Sequence, residues 1–121
     1  MIYKIPDVTP SQNVLDRMHW SAKHRLRDDW YWKVLWRCGK KKARKIKMRI
    51  TITRVSNRLL DEQNLSAGMK YLVDALRVYG HVYEDSAKWC EFRCDQRLCK
   101  DSEEPHMIVQ LSPTRREIPQ Q

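Results

Sequence analysis

Apolar residues recur along this chain with two different periods, and the switches between them mark out its elements. Met1 to Ile5 alternates as a short strand that Pro6 closes. Pro10-Ser11-Gln12-Asn13 is turn-like and offers polar side chains to cap a following helix. From about Asp16 to Trp36 there is no glycine or proline, and Leu26, Trp30 and Val34 recur at i, i+4 and i+8. That spacing predicts one helix with Arg17, Lys23, Arg25 and Arg27 off its apolar stripe, stopped by Cys38-Gly39. Ile46, Met48, Ile50 and Ile52 then alternate with Lys45, Lys47, Arg49, Thr51 and Thr53, the pattern of a strand with one core face and one cationic face. Met69, Leu72, Val73 and Leu76 predict a helix from about Leu65 to Tyr79, ended by Gly80. Trp89 to Cys94 and Met107 to Leu111 read as two more strands, joined by the polar linker Lys100 to Pro105. This order predicts a single α/β (α+β) domain over residues 1–113, with a mixed sheet of about four strands and two main helices. A loose polar tail is expected over 114–121.

Size and charge narrow the partners. A chain of 121 residues has room for a modest core that a partner subunit would help to complete. The formal net charge is +9, and residues Arg37 to Arg49 contain eight basic groups and no acid. Lys40, Lys41, Lys42, Arg44, Lys45, Lys47 and Arg49 are thus the expected phosphate contacts of a nucleic-acid face. The alternatives are an anionic membrane surface or a merely solvated basic loop. No apolar run approaches the roughly 20 residues needed to span a bilayer, and the first residues lack the hydrophobic region of a signal peptide. The expected setting is the cytoplasm. Cys38, Cys90, Cys94 and Cys99 are then expected as free thiols, because Cys90-x3-Cys94-x4-Cys99 lacks the paired short spacings of structural zinc sites.

Against this cationic background, acidic groups gather at both ends of the second predicted helix. Asp61-Glu62-Gln63-Asn64-Leu65 precedes it, Lys70 and Asp74-Ala75-Leu76 lie on it, and Glu84-Asp85-Ser86 follows it. Carboxylates kept on a basic surface suit a divalent metal acting on phosphate. The two acidic ends meet only if the next strand returns beside the basic one. Each feature also has a plainer reading. Lys70 and Asp74 are spaced as an ordinary surface ion pair, and Glu84-Asp85-Ser86 as a capping turn. Trp30, Trp32 and Trp36 suit core and dimer contacts better than base stacking, and His19 suits a structural hydrogen bond.

Taken together and in this order, these residues resemble the RusA family of Holliday junction resolvases, especially its small phage-borne members. That family carries an Asp-x-Asp-Asn element, a helix with a lysine and Asp-Ala-Leu, and an acidic pair after a short turn. Asp61, Gln63 and Asn64, then Lys70, Asp74-Ala75-Leu76 and Glu84-Asp85-Ser86 stand in those places. Asn13, Arg17-Met18-His19-Trp20 and Arg25-x-Arg27-Asp28-x-Trp30 resemble the helix that opens the phage relatives, so the likeness covers roughly residues 10 to 112. It implies a homodimeric endodeoxyribonuclease of bacterial or phage-infected cells that nicks four-way junctions in recombination and repair, using Mg²⁺ with Mn²⁺ as a substitute. Asp61, Lys70 and Asp85 are the implied catalytic residues, and Asp61, Gln63, Asp85 and Glu84 the implied metal set. Asn64 and Asp74 are the implied supporting groups, Asp74 as an orienter of Lys70.

One departure matters. Gln63 stands where the family has an aspartate, so the site loses a negative charge although an amide oxygen still ligates. In an extended backbone the neighbouring Glu62 would point the other way. Two further readings therefore stand beside the resolvase. One is a protein of the same fold that binds junction or duplex DNA without cutting it, and the other is a basic RNA- or ribosome-associated module.

Overall fold

The computed structural model describes residues 1–114. Its elements are β1 (Ile2–Ile5), α1 (Gln12–Arg17), α2 (Trp20–Cys38), β2 (Met48–Ser56), α3 (Glu62–Gly68), α4 (Lys70–Val78), β3 (Cys90–Leu98) and β4 (His106–Pro113). They form the expected α+β domain, a mixed four-stranded sheet in the order β1-β4-β2-β3. β4 runs antiparallel to both β1 and β2, whereas β3 runs parallel to β2, from Met48 opposite Cys90 to Ser56 opposite Leu98. Parallel neighbours need a crossover, and α3 and α4 supply it.

Both expected helices are divided in two. The first breaks at Met18-His19, where His19 leaves helical backbone and its Nδ1 accepts from the Ser21 amide to cap α2. Ser11 caps α1 in the same way, its hydroxyl accepting from the Val14 amide. The second helix begins earlier than its apolar stripe, with Asp61 as its N-cap, and breaks at Met69 between α3 and α4. Gly68 lies at that break because α3 presses on the chain before α1. A Cβ there would sit 1.8 Å from the Pro10 carbonyl oxygen.

The core lies between the helices and one sheet face. Trp30 and Val34 from α2, Leu65, Met69, Leu72 and Leu76 from the crossover, and Ile5, Ile50, Ile52, Met107 and Val109 from the sheet form it. Truncating any one of the larger of these to alanine costs about 2–5 kcal/mol. The basic strand starts three residues later than its alternation suggests, so Lys45 and Lys47 belong to the loop before β2. Its apolar face is as predicted at Ile50 and Ile52 but ends in a buried charge, Arg54. Thr114, placed in the tail by sequence, is buried, and its amide donates to the Lys47 carbonyl. The rest of the predicted tail lies outside the described residues. No helix among the described residues is long and apolar enough to cross a membrane.

Candidate nucleic-acid interface and acidic groups

The cations gather in the loop between α2 and β2. Lys40, Lys41, Lys42, Arg44 and Lys45 are exposed, and none of them meets a carboxylate among the described residues. Lys47 and Arg49 instead flank Glu91, Arg49 at 3.0 Å and Lys47 at 4.0 Å. The loop is fastened to the C-terminal end of α4. The Lys41 amide donates to the Tyr79 carbonyl at 2.8 Å. Gly80, at φ 81°, passes so close that a Cβ there would lie 1.8 Å from the Lys41 carbonyl oxygen. His81 is buried beside it, and its Nε2 donates to the Gly39 carbonyl at 2.7 Å. Burial pushes the His81 pKa down and Lys41 adds to that, against the opposing hydrogen bond to Gly39.

Glu84 and Asp85 lie exposed in the turn after α4, at this same end of the sheet. Lys45 sits over the Tyr83 ring at 5.8 Å, which brings the basic loop against that turn. Neither Glu84 nor Asp85 forms an ion pair among the described residues, although the charge of Asp85 is felt at Arg77.

Asp61 occupies the opposite end. Its Oδ1 accepts from the Asn64 amide at 2.9 Å and its Oδ2 from the Asn64 side chain at 2.6 Å. These hydrogen bonds hold its carboxyl below the usual range, so it stays charged. The Asn64 side-chain oxygen Oδ1 in turn accepts from the Asn13 amide, which ties the acidic turn to α1. Gln63 is exposed on the first turn of α3. Glu62 opens that helix, so the extended backbone expected for this pair is replaced by helix. Around a helix the two side chains diverge by about 100°. Lys70 is exposed at the start of α4. The charge of Lys70 is felt at the Asp74 carboxyl and helps to hold its pKa down, although the two form no ion pair among the described residues. Asp74 accepts from the Tyr31 hydroxyl and, at 2.9 Å, from Arg77.

The parallel pairing of β2 and β3 keeps the two acidic sets apart. Gln96 bonds both the amide and the carbonyl of Leu60, which fixes Asp61 at the level of Gln96. Asp85 precedes Cys90, six residues back along the same strand. At roughly 3.3 Å per residue the two levels are about 20 Å apart. The next strand does return beside the basic one, but its direction carries Asp85 away from Asp61. Among the described residues no three His, Cys, Asp or Glu side chains lie close enough to hold a metal.

Sequence reasoning missed Arg54. Its Nε donates to the Thr9 carbonyl at 3.0 Å and its Nη1 to the Arg58 carbonyl at 3.2 Å, so a buried guanidinium braces the turn leading to Asp61. Its parity with Ile50 and Ile52 was the available signal. Compared with known protein families, curated proteins and solved structures, the chain matches none of them.

Proposed function

We propose that this protein acts on branched DNA as a metal-dependent endonuclease of the junction-resolving kind, working as a homodimer. The observation that supports it is the coexistence, at one end of the sheet, of exposed cations and exposed carboxylates that form no ion pairs among the described residues. Evolving surfaces ordinarily neutralise such neighbours or keep them apart, whereas a phosphate-cutting site uses both. Lys40, Lys41, Lys42, Arg44 and Lys45 track the DNA backbone without reading bases. Selectivity for a junction then comes from its shape and deformability. Mg²⁺ or Mn²⁺, when bound, would supply charge neutralisation and an activated water.

Because Asp61 and Asp85 stand about 20 Å apart along one chain, this reading requires carboxylates from two copies at each site. The test is cleavage of a labelled four-way junction with Mg²⁺ or Mn²⁺, with binding measured beside it. Wild type is expected to nick, and Asp61→Asn and Asp85→Asn each to bind without nicking. A mixture of the two variants should regain nicking, since a mixed dimer keeps one intact site. Silence of wild type at saturating protein, with Gln63→Asp equally silent, would refute the endonuclease reading.

A second reading is favoured by Gln63, which removes a charge from the Asp61 end. There the protein binds junctions or duplex DNA without cutting. Tight binding by wild type, with nicking that appears only in Gln63→Asp, would select it.

A further inference from the structure

The sheet order leaves β3 as an edge strand of nine residues. Such an edge offers a row of backbone donors and acceptors, and proteins usually blunt it with charged side chains, proline, a bulge or a short strand. β3 has no proline and pairs without interruption from Cys90 to Leu98. Among the described residues its backbone bonds within the sheet go to β2 alone. Phe92 and Leu98 are 39% and 51% exposed along it.

The charges on this strand alternate in sign. Glu91, Arg93, Asp95 and Arg97 lie on the face away from the helices, and Cys90, Phe92, Cys94, Gln96 and Leu98 on the other. We infer that β3 pairs antiparallel with β3 of a second copy, about a two-fold axis through Cys94. In that register Cys94 faces the partner's Cys94, Arg93 the partner's Asp95, and Glu91 the partner's Arg97. Phe92 faces the partner's Gln96, and Cys90 the partner's Leu98. All nine residues pair, and no like charges oppose. Centring on Arg93 instead sets that arginine against its own copy and Glu91 against Asp95. Centring on Asp95 sets two aspartates face to face and Arg93 against Arg97. The sequence of signs thus favours one register and penalises its neighbours.

Partners within the chain leave this pattern intact. Arg93 and Asp95 form only an exposed pair at 3.3 Å, which a second strand converts into a four-membered alternation. Glu91 keeps Arg49 and Lys47, and Arg97 keeps Glu103, so the outer pairs add to existing networks. The two-fold makes one continuous sheet of eight strands with all helices on one face.

The pairing rests on β3 alone. A consequence for the acidic groups rests on the proposed endonuclease reading. Antiparallel alignment lays the partner's Cys90 beside Leu98, so the partner's Glu84-Asp85 turn and basic loop approach the Asp61 end. Two mixed sites per dimer result, each with Asp61 from one copy and Asp85 from the other.

Sedimentation of the full chain tests the pairing, with circular dichroism to establish folding. Wild type is expected as a dimer. Asp95→Arg, which opposes arginines twice across the axis, should weaken the dimer about tenfold or more. Arg93→Asp combined with Asp95→Arg reverses the signs on both strands and should restore it. Mild oxidation should cross-link wild type but not Cys94→Ser. A folded monomeric wild type, or a dimer indifferent to Asp95→Arg, would overturn the inference. These outcomes are independent of cleavage: a dimer of this register that never nicks DNA refutes the endonuclease reading and leaves the pairing standing.

Discussion

Gly68→Ala puts the packing of the acidic turn to a test in which two principles oppose each other. Gly68 is helical and buried. On propensity alone, alanine in a helix should stabilise by about 1 kcal/mol. The structure demands the reverse, because the added Cβ would lie 1.8 Å from the Pro10 carbonyl oxygen and 3.1 Å from its carbon. Ordinary contact begins at 3.4 Å, so α3 and the chain before α1 must part by roughly 1.6 Å, an overpacking cost of about 1–3 kcal/mol. The Asn13 amide bond to Asn64, 3.2 Å long, spans the same seam. Its loss adds about 1 kcal/mol. Net destabilisation of about 1–3 kcal/mol follows, lowering Tm by about 4–12 °C in a domain of this size. Urea and thermal unfolding measure it, with Ala67→Gly as a control expected to lose about 1 kcal/mol from propensity alone. A Gly68→Ala protein as stable as wild type or more so would show that the two segments are not pressed together.

Other expectations follow from the same geometry. His81 has its pKa pushed below 6.5 by burial, so the unfolded chain takes up this proton first. Stability should be complete above pH 6.5 and decline on acidification until folded His81 itself titrates, and His81→Asn should flatten that decline in urea midpoints. Burial and the bond to Asp74 raise Tyr31 to about 12, so stability tied to it is present below pH 10 and lost as pH rises further. An ultraviolet titration should find Tyr31 resisting ionisation until about 12. Tyr31→Phe should remove that step and cost about 1–2 kcal/mol in unfolding free energy. Changing Lys40, Lys42 and Arg44 together to alanine should reduce the salt dependence of duplex binding by about 2 to 3 in logarithmic slope, with no change in fold. An unchanged slope would remove the loop from the DNA interface.

Legibility in the sequence tracked how local each cause was. The stripes Leu26-Trp30-Val34 and Met69-Leu72-Val73-Leu76 located the helical faces because burial imposes their period. The helix breaks at His19 and Met69 were invisible, since one depends on a histidine cap and the other on how closely Pro10 approaches Gly68. Lys45 and Lys47 looked like strand residues because the alternation continues past the point where β2 begins. The acidic sets could be recognised but not placed. Their separation depends on the parallel direction of β3, a property of topology that no spacing encodes. Spacing along the helix points Asp74 to Lys70, whose charge it does feel, but not to Tyr31, which reaches it from forty-three residues away in sequence.

The fastening of the basic loop to α4 has a consequence for how fast and how tightly an anion is met. A free lysine-rich loop would surrender about 1–2 kcal/mol of backbone entropy per residue on being ordered by its ligand. Here the hydrogen bond from Lys41 to Tyr79, the close passage of Gly80 and the His81 bond to Gly39 have already fixed part of that path during folding. If the loop takes phosphate as proposed, less of that attraction is spent on arranging its backbone. On that reading encounter and capture become nearly one event, with the rate set by diffusion in the field of the loop. On the proposed reading, the held path also biases the loop toward backbones whose phosphates lie along it, so that a fastened scaffold lends simple charges a measure of shape recognition.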